Sequence, residues 1–426
     1  ASPNMYKDTS FILLIFVPSK KSNWKYSNFK TKNVGPLKGI RVLDLSRVVA
    51  GNMTSLQLAD FGAEVIKVEP LPDGDPLRTW KQGGESTFWK VYSRNKKSIG
   101  VDFRSPDFTE IIGHLIKNSD VMIENFRPGT LEKMGFGFDR LKQINPKLIL
   151  LRISGFGQTG TYTSRPGFGT LVESMSGFAH KNGELNGGPL LPPLALADMI
   201  SGLYGSNAIL MALRARDASG EGQIIDLALL DAMVSVLGPE ALDYELVGKP
   251  KERIGNQSST SAPRNVYETK DGHFLSISAS TPKMAARLFE SIGHGKMNED
   301  QRFNTNEGRL KHRDIVDQTV AKWIAERNKN EVLKTLVEAD VTIAPLYSIA
   351  DIISDPHFVE REVYSEIPDD DLGTIPVHKP VPDLSDTPAT FRKAAPEIGQ
   401  DTTEILLASG FREEQIHNFF KRKSIK

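Results

Sequence analysis

Short runs of β-branched and leucine residues alternate with amphipathic stretches from Pro36 to about residue 235. Residues 42–45, 65–68, 98–101, 121–123, 148–153 and 223–227 read as buried strands. Residues 53–61 and 108–116 space their apolar positions for one face of a helix. Gly62 follows the first of these, where a helix commonly ends on a left-handed residue. Alternation of this kind predicts an α/β fold, a mostly parallel sheet with helices on its faces. Two more helices are predicted over 170–178 and 194–214. The second carries Gly202, Gly205, Ser206 and Ala208, small residues that permit close helix packing.

The character of the chain changes near residue 250. Residues 249–261 are polar and contain glycine, and Pro263 follows. A strand over 274–278 and helices over 283–292, 316–327 and 331–338 come next, so 255–345 reads as a separate, smaller domain joined by a linker over 236–254. Residues 363–395 hold Pro368, Pro376, Pro380, Pro382 and Pro388, which predicts an extended return segment within 346–426. The amphipathic stretches 402–407 and 413–420 are expected to pack back on the large domain of residues 35–235. Residues 1–34 read as a poorly ordered leader.

Composition narrows the function. A chain of 426 residues is long for one core, which agrees with two domains. Lys+Arg and Asp+Glu balance at 53 each, so no basic excess suits a nucleic acid or an anionic membrane surface. A small anionic ligand needs only a few local cations and stays open. Cysteine is absent, which excludes disulfides, thiolate metal sites and a Cys nucleophile. The apolar run 11–17 is too short to span a bilayer, and Asp8 ahead of it argues against a secretory signal. The first 40 residues carry seven Lys and one Asp but no Arg. The expected compartment is therefore the cytoplasm, with the mitochondrion as the rival.

The unit from Gly39 to Glu69 is a strand, turn, helix and strand of the kind that usually grips a nucleotide with GxGxxG. Here the turn is Val48-Val49-Ala50-Gly51-Asn52, and the fingerprint is missing. GxxxxGK[ST], HExxH and GxSxG are missing too, and the eight His residues show no metal-ligand spacing.

Less generic strings remain. They are Leu43-Asp44-Leu45 with Ala50-Gly51; Gly62-Ala63-Glu64-Val65-Ile66-Lys67-Val68-Glu69; and Gly74-Asp75-Pro76-Leu77-Arg78. Asn95-Lys96-Lys97-Ser98-Ile99, Glu124-Asn125-Phe126-Arg127-Pro128-Gly129, Ser154-Gly155-Phe156-Gly157-Gln158-Thr159-Gly160 and Ala195-Leu196-Ala197-Asp198 follow. In order and spacing this set resembles the class III CoA transferases, the family of formyl-CoA transferase and the carnitine CoA transferase, over about residues 36–400. The resemblance implies a Rossmann-like large domain that binds coenzyme A without a GxGxxG. It also implies a small inserted α/β domain and an interlocked homodimer. The partners it implies are an acyl-CoA and a small carboxylic acid, with no nucleic acid, no membrane and no tightly bound cofactor.

Carried over by position, the resemblance sets Val49 and Ala50 against CoA and Trp80 near it. Lys96 and Lys97 fall in the basic stretch that meets the CoA nucleotide, Asn125 and Phe126 along its arm, and Lys133 where Arg is common. Gly255–Ser259 corresponds to a mobile loop over the active site. By residue type alone, Lys96-Lys97 would be a solvated charge pair, Trp80 a packing residue and the Asn125 string a strand-to-helix turn.

In this family an Asp carboxylate attacks the thioester, since a carboxylate is both a nucleophile and, once acylated, an activated carbonyl. The resemblance places that Asp at the end of Gly167-Phe168-Gly169, where Gly169 has no side chain. Three readings follow. Glu173, one helical turn on, could reach back; Glu184 could serve instead; or the chain binds CoA esters without transferring them. Glu173 is the favoured nucleophile, and Asp198 is given an orienting role. The activity expected is transfer of CoA from an acyl-CoA, such as succinyl-CoA, to a carboxylic acid. The runner-up is a 2-methylacyl-CoA racemase, whose His/Asp pair Gly167-Phe168-Gly169 lacks.

Overall fold

Val42 and Leu43 point to opposite faces of one strand, and both are fully buried. That pattern demands cover on both sides of the sheet, and the computed structural model, which describes residues 23–426, shows it. The strands are β1 (Lys25–Tyr26), β2 (Arg41–Asp44), β3 (Glu64–Pro70), β4 (Lys96–Val101), β5 (Val121–Glu124), β6 (Ile149–Ser154) and β7 (Ile224–Ala228). The last six form an all-parallel sheet in the order β4-β3-β2-β5-β6-β7. Val42 pairs with Val65 on one side and Val121 on the other. The chain leaves β2 in one direction to build β3 and β4, then crosses back to place β5 on its other flank. That reversal makes a crevice at the carboxyl ends of β2 and β5, where α/β sheets bind ligands.

Two apolar layers cover the sheet. On one face Leu43, Ile66, Val68 and Ile99 pack with the helix Phe108–Lys117 and with Ile405, Leu406, Ile416 and Phe419 of the C-terminal helices. On the other, Val42, Val65, Val121, Ile123 and Leu151 meet α1 (Val49–Asp60). The helices α2 (Gly169–Met175) and α3 (Leu196–Ser219) complete this side. Close approach of α1 and α3 requires Gly202, because a Cβ there would lie 2.6 Å from the Cβ of Met53.

The smaller unit is an antiparallel sheet of β8 (Arg264–Glu268), β9 (Phe274–Ser278) and β10 (Ile343–Pro345). Its own core holds Leu275, Ile277, Phe289, Val316, Val320 and Leu336. The linker over 236–254 contains a helix, Glu240–Val247, with no buried residue, which its pattern did not announce.

Two segments differ from the pattern-based expectation. Of the leader assigned to residues 1–34, the described part is ordered: Trp24 is buried with its ring 5.1 Å from that of Tyr364, and β1 pairs with Ser365 and Glu366. Residues 1–22 of that assignment lie outside the described residues. The proline-rich return segment is a hairpin, β11 (Tyr364–Asp369) and β12 (Gly373–His378). Pro376 is tolerated because β12 is an edge strand, and Pro368 because β1 pairs only with 365–366.

Candidate active site

The turn that leaves β2 is built on buried charge. Lys67 on β3 lies with its Nζ 3.3 Å from Asp44 Oδ1 and 3.1 Å from Asp75 Oδ2, all three side chains fully buried. It also donates to the carbonyl of Ser46. Burial alone would lower the lysine's pKa, but the two carboxylates outweigh it and hold the pKa above its ordinary value. Burial likewise opposes ionisation of Asp75, yet Lys67 and the N–H groups of Leu77 and Val48 keep its carboxyl below the usual range. Asp44 accepts from Ser46 N–H at 2.9 Å and from Ser55 Oγ at 2.6 Å. The result is a fixed polar floor beneath the first turn of α1.

Above that floor Val48, Val49 and Ala50 line a cleft of about 630 Å³. Asn125–Pro128 after β5, Ile153–Phe156 at the end of β6 and residues 165–170 complete its walls with Trp80 and Asp198. Its position is the crevice that the strand order predicts, and its volume suits a sizeable ligand. Asn125 clasps the turn: its Oδ1 accepts from Arg47 N–H at 2.9 Å and its Nδ2 donates to Arg47 O at 2.7 Å. The Arg47 guanidinium stands 5.6 Å from the centre of the Phe126 ring. Arg47, Arg127 and Arg165 all line the cleft, and among the described residues none of them holds a carboxylate partner.

The floor of the cleft explains Gly169. A Cβ on Gly169 would lie 2.2 Å from Oδ2 of Asp198, so the carboxylate from α3 occupies the space where a side chain at 169 would begin. The backbone N–H groups of Ala50 and of Asp198 itself face this carboxylate and favour its charged form. Burial and the nearby charge of Glu173 outweigh them and push Asp198 up to about 6.

Of the residues expected at the site, Val49, Ala50, Trp80, Asn125 and Phe126 line this cleft, as does Gly169. The others are corrected. Glu173 is buried and does not line the cleft; its Oε1 accepts from the N–H of Ala197 at 3.0 Å, so it turns toward the start of α3. Lys96 is fully buried under α1, donating to Asn52 O and Oδ1. Lys97 pairs with Glu64 at 2.9 Å and Glu404 at 2.7 Å, away from the cleft. Lys133 on the short helix Thr130–Lys133 does not line it either. Glu184 faces Gly255, whose Cβ would lie 2.8 Å from its Oε2. The loop over 255–259 is held on the smaller unit, with Gln257 bonded to Asp317 and Arg313. The cations that do reach the cleft, Arg47, Arg127 and Arg165, stand within or beside the quoted strings. A search for arginines flanking those turns, rather than for paired lysines, would have found them.

Residues 37–402 match the model of CoA-transferase family III. The chain is 38% identical over 397 residues to the succinyl-CoA–L-malate CoA-transferase beta subunit of Chloroflexus aurantiacus, covering 92% of this chain and 98% of that one. It is 36% identical over 373 residues to the succinyl-CoA–D-citramalate CoA-transferase of the same organism, covering 87% and 93%. Among solved structures, a CAIB/BAIF family protein from Brucella suis superposes with a TM-score of 0.78 at 33% identity, over 89% of this chain and 100% of that one.

Proposed function

The chain belongs to CoA-transferase family III and is a CoA transferase, and we propose that it carries CoA from succinyl-CoA to a small dicarboxylate such as malate or citramalate, with Asp198 as nucleophile. The observation that carries this reading is the Asp198 carboxylate seated against the bare Cα of Gly169, at the floor of the cleft and in front of the N-terminus of α1.

The chemistry follows from that placement. Ionised Asp198 attacks the thioester carbonyl; the C–S bond breaks and CoA leaves as the thiolate, giving an aspartyl–succinyl anhydride. The thiolate then attacks the Asp198 carbonyl, releasing succinate and leaving CoA as a thioester on the enzyme. The acceptor carboxylate attacks this thioester and expels the thiolate, and the thiolate attacks the acceptor carbonyl of the new anhydride. Acceptor-CoA departs and the Asp198 carboxylate is restored. In the steps at the Asp198 carbonyl, negative charge builds on its oxygen, which the N–H of Ala50 faces. Arg47 and Arg127 line the cleft and offer the cations that the phosphates of CoA need. No histidine lines the cleft among the described residues, so the racemase reading gains no base.

The test is to incubate the protein with succinyl-CoA and a panel of dicarboxylates, then trap intermediates with hydroxylamine or borohydride. Mass spectrometry should find the modification at Asp198. A label on Glu173, or transfer without a labelled carboxylate, would overturn the assignment.

We propose further that the working unit is an interlocked homodimer. The chain exposes 24270 Å², against about 16,000 Å² for a compact monomer of its mass. Setting aside an upper bound of about 3,500 Å² for residues 1–22 still leaves several thousand Å² in excess. Leu203, Tyr204, Leu210 and Met211 on α3 lie exposed along one helix, as a covered apolar face would.

A further inference from the structure

Val48, at the pivot of the active-site turn, holds a backbone conformation that β-branched residues avoid. Its φ is 66° and its ψ −135°, a region where Cβ is crowded and which glycine alone enters freely. Strain of this kind persists only where the surroundings over-determine it, and Asp75 supplies the determination. Its Oδ1 accepts from Val48 N–H at 3.0 Å and from Leu77 N–H at 2.9 Å. Its Oδ2 accepts from Asn52 Nδ2 at 2.8 Å, and the same Nδ2 donates to the carbonyl of Val48 at 2.6 Å. The N–H and the C=O of Val48 are thus both tied to one buried carboxylate, directly and through Asn52. Asp75 is in turn fixed by Lys67.

We propose that Asp75 is a positioning residue for the transfer reaction: it pins Val48 in its strained conformation and so aims the N–H of Ala50, in the first turn of α1, at the carboxylate of Asp198. The inference rests on the reading of Asp198 as nucleophile. It also accounts for the missing fingerprint, because a turn that a glycine would take unaided is here taken by valine under external restraint. The N–H of Ala50 faces Asp198 only if α1 begins where Val48 starts it. Among the described residues, α1 presents Asp198 with the N–H of Ala50, α3 with its own backbone N–H and α2 with the charge of Glu173, while Arg47, Arg127 and Arg165 line the same cleft.

A simpler role, in which Asp75 only neutralises Lys67, predicts something different. Asp75→Glu keeps the charge opposite Lys67 but moves the carboxylate by one methylene and releases the Val48 N–H. The expected result is a folded protein with kcat reduced roughly 10- to 100-fold and KM for succinyl-CoA within about threefold of wild type. The Asp198 carboxyl, followed by ¹³C NMR of aspartate-labelled protein and identified by its absence in Asp198→Asn, should titrate about half a unit or more higher. Adding Val48→Gly should restore most of the lost kcat and return the titration, since glycine takes the turn without restraint. If Asp75→Glu does not fold, Asp75→Asn gives the converse comparison: it removes the charge opposite Lys67 but keeps an oxygen for the Val48 N–H, so kcat near wild type is expected and a large loss of kcat in the folded variant overturns the proposal. Wild-type kcat and titration in folded Asp75→Glu, or no rescue of it by Val48→Gly, also overturns the proposal. If the wild type transfers no CoA, the reading of the reaction fails, and the titration still decides the positioning role.

Discussion

Asp198 and Glu173 show how much a single residue's surroundings alter its meaning. Asp198 sits in a sequence string that was legible, yet its partner Gly169 is adjacent only in space, so the empty position read as a missing nucleophile. Because Asp198 is held up to about 6 by burial and by Glu173, transfer should fall away as pH drops below about 6. Glu173→Gln keeps an acceptor for the Ala197 N–H and removes the like charge, so its pH–rate profile should retain substantial kcat with the acid limb moved downward. Loss of all activity in Glu173→Gln would restore Glu173 as the attacking group. Asp198→Asn should be inactive. A raised carboxyl pKa means the folded state binds more protons than the unfolded one between about 4 and 6, so this group costs stability as pH rises through that window. Asp198→Asn should therefore be more stable to urea at pH 8, by about 1–3 kcal/mol, with the gain disappearing below about pH 4. The lysines mislead for a related reason: a positive charge reads alike in sequence whether it is free, as on Arg127, or consumed internally, as on Lys96 and Lys97.

Among the elements, the parallel strands and the helices between them were the most legible, because a strand covered on both faces must be apolar along its length. Lys67 and Lys96 break that rule within β3 and β4, and both do so beneath the active-site helix. Lys96 is pulled down to about 7 by burial and by neighbouring Lys67, against the opposing pull of Asp44. With the folded pKa below the unfolded one, the native state binds fewer protons between about 7 and 10.5. This group therefore makes stability rise with pH across that window. Urea titrations at pH 7.5 and 9.5 should show the slope, and Lys96→Met should flatten it by on the order of 1 kcal/mol per pH unit. An unchanged slope would mean that Lys96 stays charged in the fold. The return segment was less legible than the strands. Its prolines announced extended chain, but only the edge position of β12 and the short reach of β1 allowed those residues to pair as a hairpin.

For the whole molecule, the exposed face of α3 sets the expectation. By length and composition α3 is the one described helix that could cross a membrane, yet its Gly202 side packs on α1 within the fold. Its opposite side, with Met211 at 64% exposure, stays uncovered in one chain, and the homodimer proposed above would cover it. Light scattering after size exclusion should give about twice the mass of one chain. If two chains are linked through each other, dissociation and unfolding should coincide in urea, with a midpoint that depends on protein concentration. Folded monomers appearing on dilution would exclude the linked arrangement. The amino-acid sequence alone determined the alternation of strands and helices, the βαβ unit without its glycine fingerprint, and the turns at Val49 and Asn125, because each is written in neighbouring residues. The tertiary structure decided which charges line the cleft and which carboxylate stands beside Gly169. Burial, ion pairing and the space left beside Gly169 arise between segments far apart in the chain, and those interactions set whether a charged group is buried structure or chemistry.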